Sequence, residues 1–414
     1  MNENINGTSF FNRPNVEKSI ISIADGVPFG VEKVSNSALG IGGAYCGWGK
    51  SFDNKELPLL INERLGNTLG PSEVMNLEEL GFLSRHHIQQ LSNSEHLEVE
   101  LEVGTRLLKQ ACVANGWEPG DVSGVMIGSS SPASLDYVEE ISRRAGIPES
   151  AMTVSIHKAC DGSMGALHLA LNPQLALPGQ VNIAEELSGK KVLVGGIEGL
   201  SRFLIGTKDK HALQLFGNGA GVIGVIPGES MKLIAGRTFE NYDVDGLLQV
   251  KMCYPHSKLI ESGKSLIEYF QESSKRIRFS GMQHEPADGL PVVMAGLMGM
   301  VKLFVRSGVQ VVTDVIQEYS AIMEKAGTPE HKIDIGIVHH ANYKINLLKA
   351  KQLIKEGIEF PMPWLLKDFG NVSAASCMIA FLRQLPEIKP GEHVLFDGFG
   401  AGTYYDVMAI AMGG

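Results

Sequence analysis

Read for its alternation of apolar and polar positions, the chain is irregular at its start and regular thereafter. Residues 1 to about 50 are rich in Asn, Ser and Gly, with short apolar stretches such as SIISIADGV, and read as an extension on the main fold. From Leu77 onward helical and strand periods alternate. The pattern predicts a helix around Glu95 to Asn115, a strand at Val122 to Ile127, a helix around Tyr137 to Ala145, a strand at Met152 to Ile156 and a helix from Cys160 to about Leu171. Such alternation is the signature of an α/β fold.

The second half repeats this order. VSGVMIGSSS reads as a strand ending in a small polar loop, HKACDGSMGALHLAL as a turn opening a helix, and KKVLVGGIEGL as a strand running into glycines. IDIGIVHHAN, DFGNVSAASCMIAFL and EHVLFDGFGAG follow in the same order and at similar spacing. The chain therefore reads as internally duplicated, its halves meeting near residues 225–235, where IPGESM separates two apolar runs. The boundaries expected are 1–75 for the extension and first elements, 76–228 for the first half and 229–414 for the second. Ligands of α/β sheets gather beyond the carboxyl ends of strands, so two copies packed about a pseudo-twofold axis would turn their matching loops onto one pocket.

Composition narrows the function classes. The formal net charge of −10 argues against a nucleic-acid partner. The five cysteines, Cys46, Cys112, Cys160, Cys253 and Cys377, form no CxxC pair, which points away from a zinc site or disulfide framework and towards a reducing cytoplasm. The N-terminal segment lacks the apolar core of a signal peptide. The most apolar run, Val292 to Val305, is too short to span a membrane and contains Lys302; it reads as a buried helix that could line a pocket.

The candidate chemistry sits in the matching loops. Cys160 lies where a short strand gives way to a helix, and a helix N-terminus stabilises a thiolate. His339 and His340 end the strand IGIVHHAN, where either is placed to act as base or donor. Asn371, before the helix of FGNVSAAS, has a side-chain amide that could reach a thioester oxygen. In GFGAG, glycines let backbone amides approach a ligand, so the N–H groups of Cys160 and Gly402 are candidates for an oxyanion hole. Taken singly, a buried free cysteine, a core histidine and a capping asparagine are plainer readings; the matched loops favour the functional ones. GNGAG at 217–221 starts an apolar strand and reads as structural.

These segments resemble β-ketoacyl-acyl-carrier-protein synthase III and its relatives in the thiolase superfamily. KACDGSMGALHLAL is similar to that family's nucleophile elbow, VHHAN to its PHQAN histidine motif, FGNVSAAS to its GNTSAAS motif and GFGAG to its C-terminal glycine loop. The resemblance runs from about Gly81 to the C-terminus. It implies an α/β thiolase fold, an internally duplicated αβαβα layered architecture, and a Claisen-type condensing enzyme acylated on Cys160. His339 and Asn371 would stabilise the enolate and thioester oxygen, and Cys160 and Gly402 would form the oxyanion hole. It also implies a homodimer using thioesters of coenzyme A or an acyl carrier protein, with no further cofactor and no metal. His340 stands where the family usually has glutamine, and with Asn342 it is an accessory candidate. An acidic carrier calls for basic residues near the pocket mouth, for which Lys275, Arg276 and Arg278 are candidates, with Arg202, Lys208 and Lys210 beside them.

Some relatives that join two acyl chains carry a glutamate about 26 residues before the cysteine; here Ser134 stands there, with Asp136, Glu139 and Glu140 nearby on a helix expected to be solvated. MAGLMGMVKLFV, HHANYKIN and DFGNVSAASCMIAFL resemble ketosynthases that make dialkylresorcinols or cyclohexanediones. The alternatives are a decarboxylative starter synthase, chalcone-synthase-like iteration, acyl transfer to a hydroxyl or amine, and a non-catalytic partner subunit. A papain-like protease shares the order Cys, His, Asn but would show no duplication.

Overall fold

Strands that must be covered on both faces read as near-continuous apolar runs, and those runs build two sheets here. The computed structural model describes residues 16–22, 28–88, 91–130, 132–176, 178–204, 209–240, 268–280, 297–400 and 404–413. The first nine strands are β1 (Val16–Ser22), β2 (Pro28–Asn36), β3 (Ile41–Trp48), β4 (Lys50–Asp53), β5 (Ser84–His87), β6 (Gly124–Gly128), β7 (Met152–His157), β8 (Val192–Glu198) and β9 (Gly219–Val225). Then follow β10 (Met231–Glu240), β11 (Glu268–Ser273), β12 (Arg276–Ser280), β13 (Ile335–Val338), β14 (His393–Gly400) and β15 (Tyr404–Met412).

A nine-stranded sheet has the order β1-β2-β3-β9-β8-β6-β7-β12-β11, and a four-stranded sheet the order β10-β15-β14-β13. Within them lies the expected repeat. In the first half β3 pairs antiparallel with β9, β9 antiparallel with β8, and β8, β6 and β7 run parallel. In the second half β10 pairs antiparallel with β15, β15 antiparallel with β14, and β14 is parallel to β13. The place that β7 occupies in the first half has no strand in the second, where the segment before Asn371 runs as irregular chain.

Two helices fill the space between the sheets. Gly162–Leu171 and Ser376–Gln384 are buried nearly all round, as a helix with no polar face must be. Gly162–Leu171 packs on β6, β7 and β8 from one sheet and on β10, β14 and β15 from the other. Outside, Asn93–Ala114 and Tyr137–Ala145 cover the larger sheet, while Leu297–Lys325 and Tyr343–Lys355 join the outer core of the smaller. The layers are thus helix, sheet, helix, sheet and helix, as expected. Asn93–Ala114 starts on a capping box in which Ser92 and Glu95 exchange hydrogen bonds, removing two unpaired amides at its first turn.

β9 closes the first repeat of the sheet order and β10 opens the second, and strands of the first sheet begin well before residue 76. β3 is fully buried and pairs with β9, and β2 and β1 extend the same sheet as an antiparallel pair, so these three strands belong to the larger sheet. Their many Gly and Asn positions had hidden this, because Gly42 and Gly43 face backbone atoms of 114 and 222 too closely for a side chain. β11 and β12, from the second half, join the first sheet beside β7. Of Val292 to Val305, residues 292–296 lie outside the described residues and the rest begins the helix Leu297–Lys325. No described helix is long and apolar enough to cross a membrane.

Candidate active site

β7 ends at His157, and the chain turns through a short 3-10 segment, Ala159–Asp161, into the helix starting at Gly162. The turn is sharp enough to put Ala159 at φ 48°, a left-handed conformation disfavoured by any side chain. Its counterpart lies in the second half, where Ser373–Ala375 leads into the helix starting at Ser376 and Ser373 has φ 45°. Aligning the two strained residues makes Ala374 the mirror of Cys160 and Asn371 that of His157. The loops match, but the two candidate residues, Cys160 and Asn371, occupy different places within them.

Cys160 is partly exposed, whereas Cys46, Cys112 and Cys377 are buried. Burial pushes the Cys112 thiol up to about 11 and raises those of Cys46 and Cys377 further, which leaves them inert at neutral pH. The hydroxyl of Ser373 lies 3.2 Å from Cys160 Sγ, bringing the two strained loops into direct contact. Ser373 N–H in turn donates to Asn371 Oδ1 at 2.9 Å, so the amide group of Asn371 is left as its donor end. Asn371 is therefore fixed by an Asx-type bond two residues on, rather than capping the helix at Ser376.

His339 follows β13, and its backbone N–H donates to Asp397 O on β14 at 2.9 Å. β14 abuts the Cys160 turn: a Cβ placed on Gly398 would meet Asp161 Oδ1 at 1.9 Å, and one on Gly400 would meet Lys158 O at 2.2 Å. These glycines let the strand lie against the Cys160 loop. Burial, helped by nearby His340 and Lys349, holds the His339 imidazole down to about 3, and its Nδ1 is buried without a protein partner. A neutral ring offers one N–H and one lone pair, which suits hydrogen bonding to a developing oxyanion without a buried cation.

The C-terminal part of the chain, residues 323–412, matches the family model described as 3-oxoacyl-[acyl-carrier-protein (ACP)] synthase III C terminal. The β-ketoacyl-[acyl-carrier-protein] synthase III of Lactobacillus delbrueckii subsp. bulgaricus is 25% identical over 345 residues, covering 82% of this chain and 91% of that protein. The chain is synthase III-like. Among solved structures, 3-oxoacyl-[acyl-carrier-protein] synthase III from Aquifex aeolicus VF5 aligns with TM-score 0.56 at 19% identity, covering 95% of this chain and 100% of the other. OleA of Xanthomonas campestris aligns with TM-score 0.59 at 14% identity over 90% of this chain and 97% of its own. The layers, the duplicated sheet order and these superpositions identify the fold as the thiolase fold.

In this synthase III-like frame the accessory candidates separate. His340 is wholly engaged: Nδ1 donates to Val338 O at 2.7 Å, Nε2 accepts from Leu365 N at 2.9 Å, and the ring lies 4.5 Å from that of Trp364. Those bonds fix its tautomer and leave it no nitrogen for chemistry. Asn342 caps the helix Tyr343–Lys355 through Ile345 N at 2.9 Å. Both are structural. Gly402 lies outside the described residues, as do Lys208 and Cys253. The GNGAG glycines are structural, Gly219 and Gly221 lying against Val372 and Ile379.

The basic cluster does not gather at the Cys160 end. Arg276 pairs with Thr153 at the start of β7 and Ser280 with His157 at its finish, so Lys275 and Arg276 sit at the far end of the sheet from the cysteine. Four strand steps separate those ends, roughly 13 Å. Arg278 lies over the Phe270 ring at 4.8 Å. Arg202 is buried against Glu100, with Nε to Oε1 at 2.8 Å and Nη2 to Oε2 at 3.1 Å, and Lys210 pairs with Glu73. The sequence pattern could not reveal these partners, which come from distant segments.

The sequence also passed over Glu198. At the end of β8 it is fully buried, its Oε1 accepting from Ser130 N at 2.7 Å and Ala374 N at 3.1 Å. Burial raises its carboxyl to about 7, against the lowering effect of these bonds. The available signal was an acid at the carboxyl end of the strand KKVLVGGIEGL, hidden by its glycines. Of the acids near Ser134, Glu140 is paired with Arg143 and Arg144, as a solvated helix face would have it.

Proposed function

We propose that this chain is a ketosynthase that forms a carbon–carbon bond by Claisen-type condensation through an acyl-Cys160 intermediate. The observation that carries the reading is the placement of Cys160. Alone among the described cysteines it is not buried, and it stands on a strained turn beyond a parallel strand, against the Asn371 loop. The Cys160 thiolate attacks a thioester carbonyl, the new C–S bond forms as the carrier thiolate leaves, and the acyl group stays on the enzyme. An enolate from a second thioester then attacks that carbonyl, the new C–C bond forms and the C–S bond to Cys160 breaks. His339 and Asn371 donate hydrogen bonds to the second thioester's oxygen as negative charge grows there.

The finer reading is that a β-ketoacyl thioester meets a second, α,β-unsaturated acyl thioester and the product closes to a cyclohexanedione or resorcinol precursor. HHANYKIN and DFGNVSAASCMIAFL support it, and a β-keto group eases enolate formation without a glutamate at Ser134. Coenzyme A or an acyl carrier protein would deliver both substrates to a homodimer. The test is intact-mass and peptide mapping after incubation with acyl thioesters, followed by product analysis with β-ketoacyl plus enoyl thioesters and, separately, malonyl carrier plus acyl-coenzyme A. Acylation lost in Cys160→Ala, with condensation lost in His339→Ala and Asn371→Ala, is expected. Acylation elsewhere overturns the nucleophile; a linear product from malonyl carrier alone returns the chain to the starter-synthase reaction.

A further inference from the structure

Glu198 accepts from the backbone amides of Ser130 and Ala374 and, at 3.5 Å, from the Ser129 hydroxyl, and the hydroxyls of Ser130 and Ser373 lead from this carboxylate towards the sulfur. Ser373 Oγ lies 3.2 Å from Cys160 Sγ on one side and 3.1 Å from Ser130 Oγ on the other. Ser130 N–H donates to Glu198 Oε1 at 2.7 Å, and the hydroxyls of Ser130 and Ser373 stand near enough to the carboxylate to draw its pKa down against burial. Ser373 has a single hydroxyl hydrogen, so it can serve the sulfur or the serine and carboxylate, but not both at once. Its position leaves little freedom, because its own N–H is held by Asn371 Oδ1, the next N–H by Glu198 Oε1, and its backbone is left-handed. A strained serine held between a nucleophile and a buried carboxylate is an arrangement that packing alone does not require.

We propose that Glu198 is a positioning residue for the nucleophile and takes up the thiol proton of Cys160 through Ser373 and Ser130. The Sγ proton passes to Ser373 Oγ, the Ser373 hydrogen passes to Ser130 Oγ, and the Ser130 hydrogen passes to the Glu198 carboxylate. Ser373 then holds the former thiol hydrogen and donates it to the thiolate. The buried network carries one negative charge before and after, so activation moves a charge instead of creating one in a poorly solvated site. During acylation the departing carrier thiolate takes a proton from solvent. When condensation releases the Cys160 thiolate, the proton returns from Glu198 by the same path.

Other titratable groups are packed around this network. His157 on β7 is held down to about 4 by burial and bonds to Ser129 O; the Glu100–Arg202 pair lies beside Gly199. Cys377 begins the following helix with its thiol raised, and Asp161 adjoins Cys160 with its carboxyl raised well up by burial and by Asp406. Asp161 is the neighbour most able to imitate the effect, so it is tested separately.

The inference rests on Cys160 being the nucleophile, and its experiment needs no acyl substrate. The rate of Cys160 alkylation by iodoacetamide, mapped by mass spectrometry, is measured from pH 5.5 to 9.5 in the full chain. In the wild type the rate should rise to about pH 7, level off while carboxylate and sulfur share one proton, and rise again as the thiol itself titrates near about 8.5. Glu198→Gln should lose the lower inflection, leaving a single rise at the pKa of the thiol itself. Ser373→Ala should do the same without touching the carboxylate, so it decides the matter if Glu198→Gln folds poorly. Asp161→Asn should keep the lower inflection. An inflection that survives in Ser373→Ala, or that vanishes only in Asp161→Asn, overturns the relay. Normal acylation with an unchanged profile overturns the relay alone, whereas failure of Cys160 to accept either reagent overturns the nucleophile as well.

Discussion

Replacing Lys349 by methionine tests how the second half holds His339. Lys349 reaches from the helix Tyr343–Lys355 to Asp397 on β14, its ammonium 4.7 Å from the centre of the Phe304 ring, and both charged side chains are fully buried. Burial raises the Asp397 carboxyl and Lys349 draws it back. Removing one member of such a pair leaves an uncompensated buried charge and costs about 3–5 kcal/mol. Without the lysine the folded-state pKa of Asp397 rises further above its unfolded value. The folded state then binds a proton that the unfolded state does not, so the penalty is greatest at high pH and shrinks as pH falls. Each pH unit returns at most about 1.36 kcal/mol, so the loss should shrink by up to about 2.7 kcal/mol between pH 7.5 and 5.5. Urea unfolding of the wild type, Lys349→Met and Lys349→Met/Asp397→Asn at both pH values measures this. The double variant should recover most of the loss, because neither charge is stranded. A single-variant loss below about 1 kcal/mol, an equal loss at both pH values, or no recovery in the double variant would refute the reasoning. Since Asp397 O also accepts from His339 N, condensation in Lys349→Met should fall further than acylation, as a displaced His339 would require.

Ala159→Gly removes a Cβ from a left-handed backbone position and should stabilise the fold by about 1 kcal/mol, while the freer turn slows acylation of Cys160; a lower melting temperature would contradict this. His340→Ala breaks two buried hydrogen bonds and the contact with Trp364, so it should cost about 1–3 kcal/mol of stability yet leave kcat of the folded enzyme within a few-fold, whereas His339→Ala should show the reverse in the same two measurements.

The sequence by itself determined the α/β class, the duplication and the loops that carry Cys160, His339 and Asn371, because periodicity and strand-to-helix turns are local and survive in one dimension. It misread residues 28–48, since a central strand such as β3, full of glycines pressed against neighbouring backbone, lacks the apolar run expected of it. It could not choose between His339 and His340 from the residues alone, because what separates them is the peptide N–H of Leu365 arriving from 25 positions away. Nor could it show that Arg202 is consumed by Glu100, or that Lys275 and Arg276 stand at the amino end of β7, since charge has no direction until strands acquire register. Glu198 and Ser373 became meaningful only when the two halves closed on each other. The hydrogen bonds from Ser373 to Cys160 and from Ala374 to Glu198 join residues 213 and 176 positions apart, a pairing that pseudo-symmetric packing creates and no local pattern encodes.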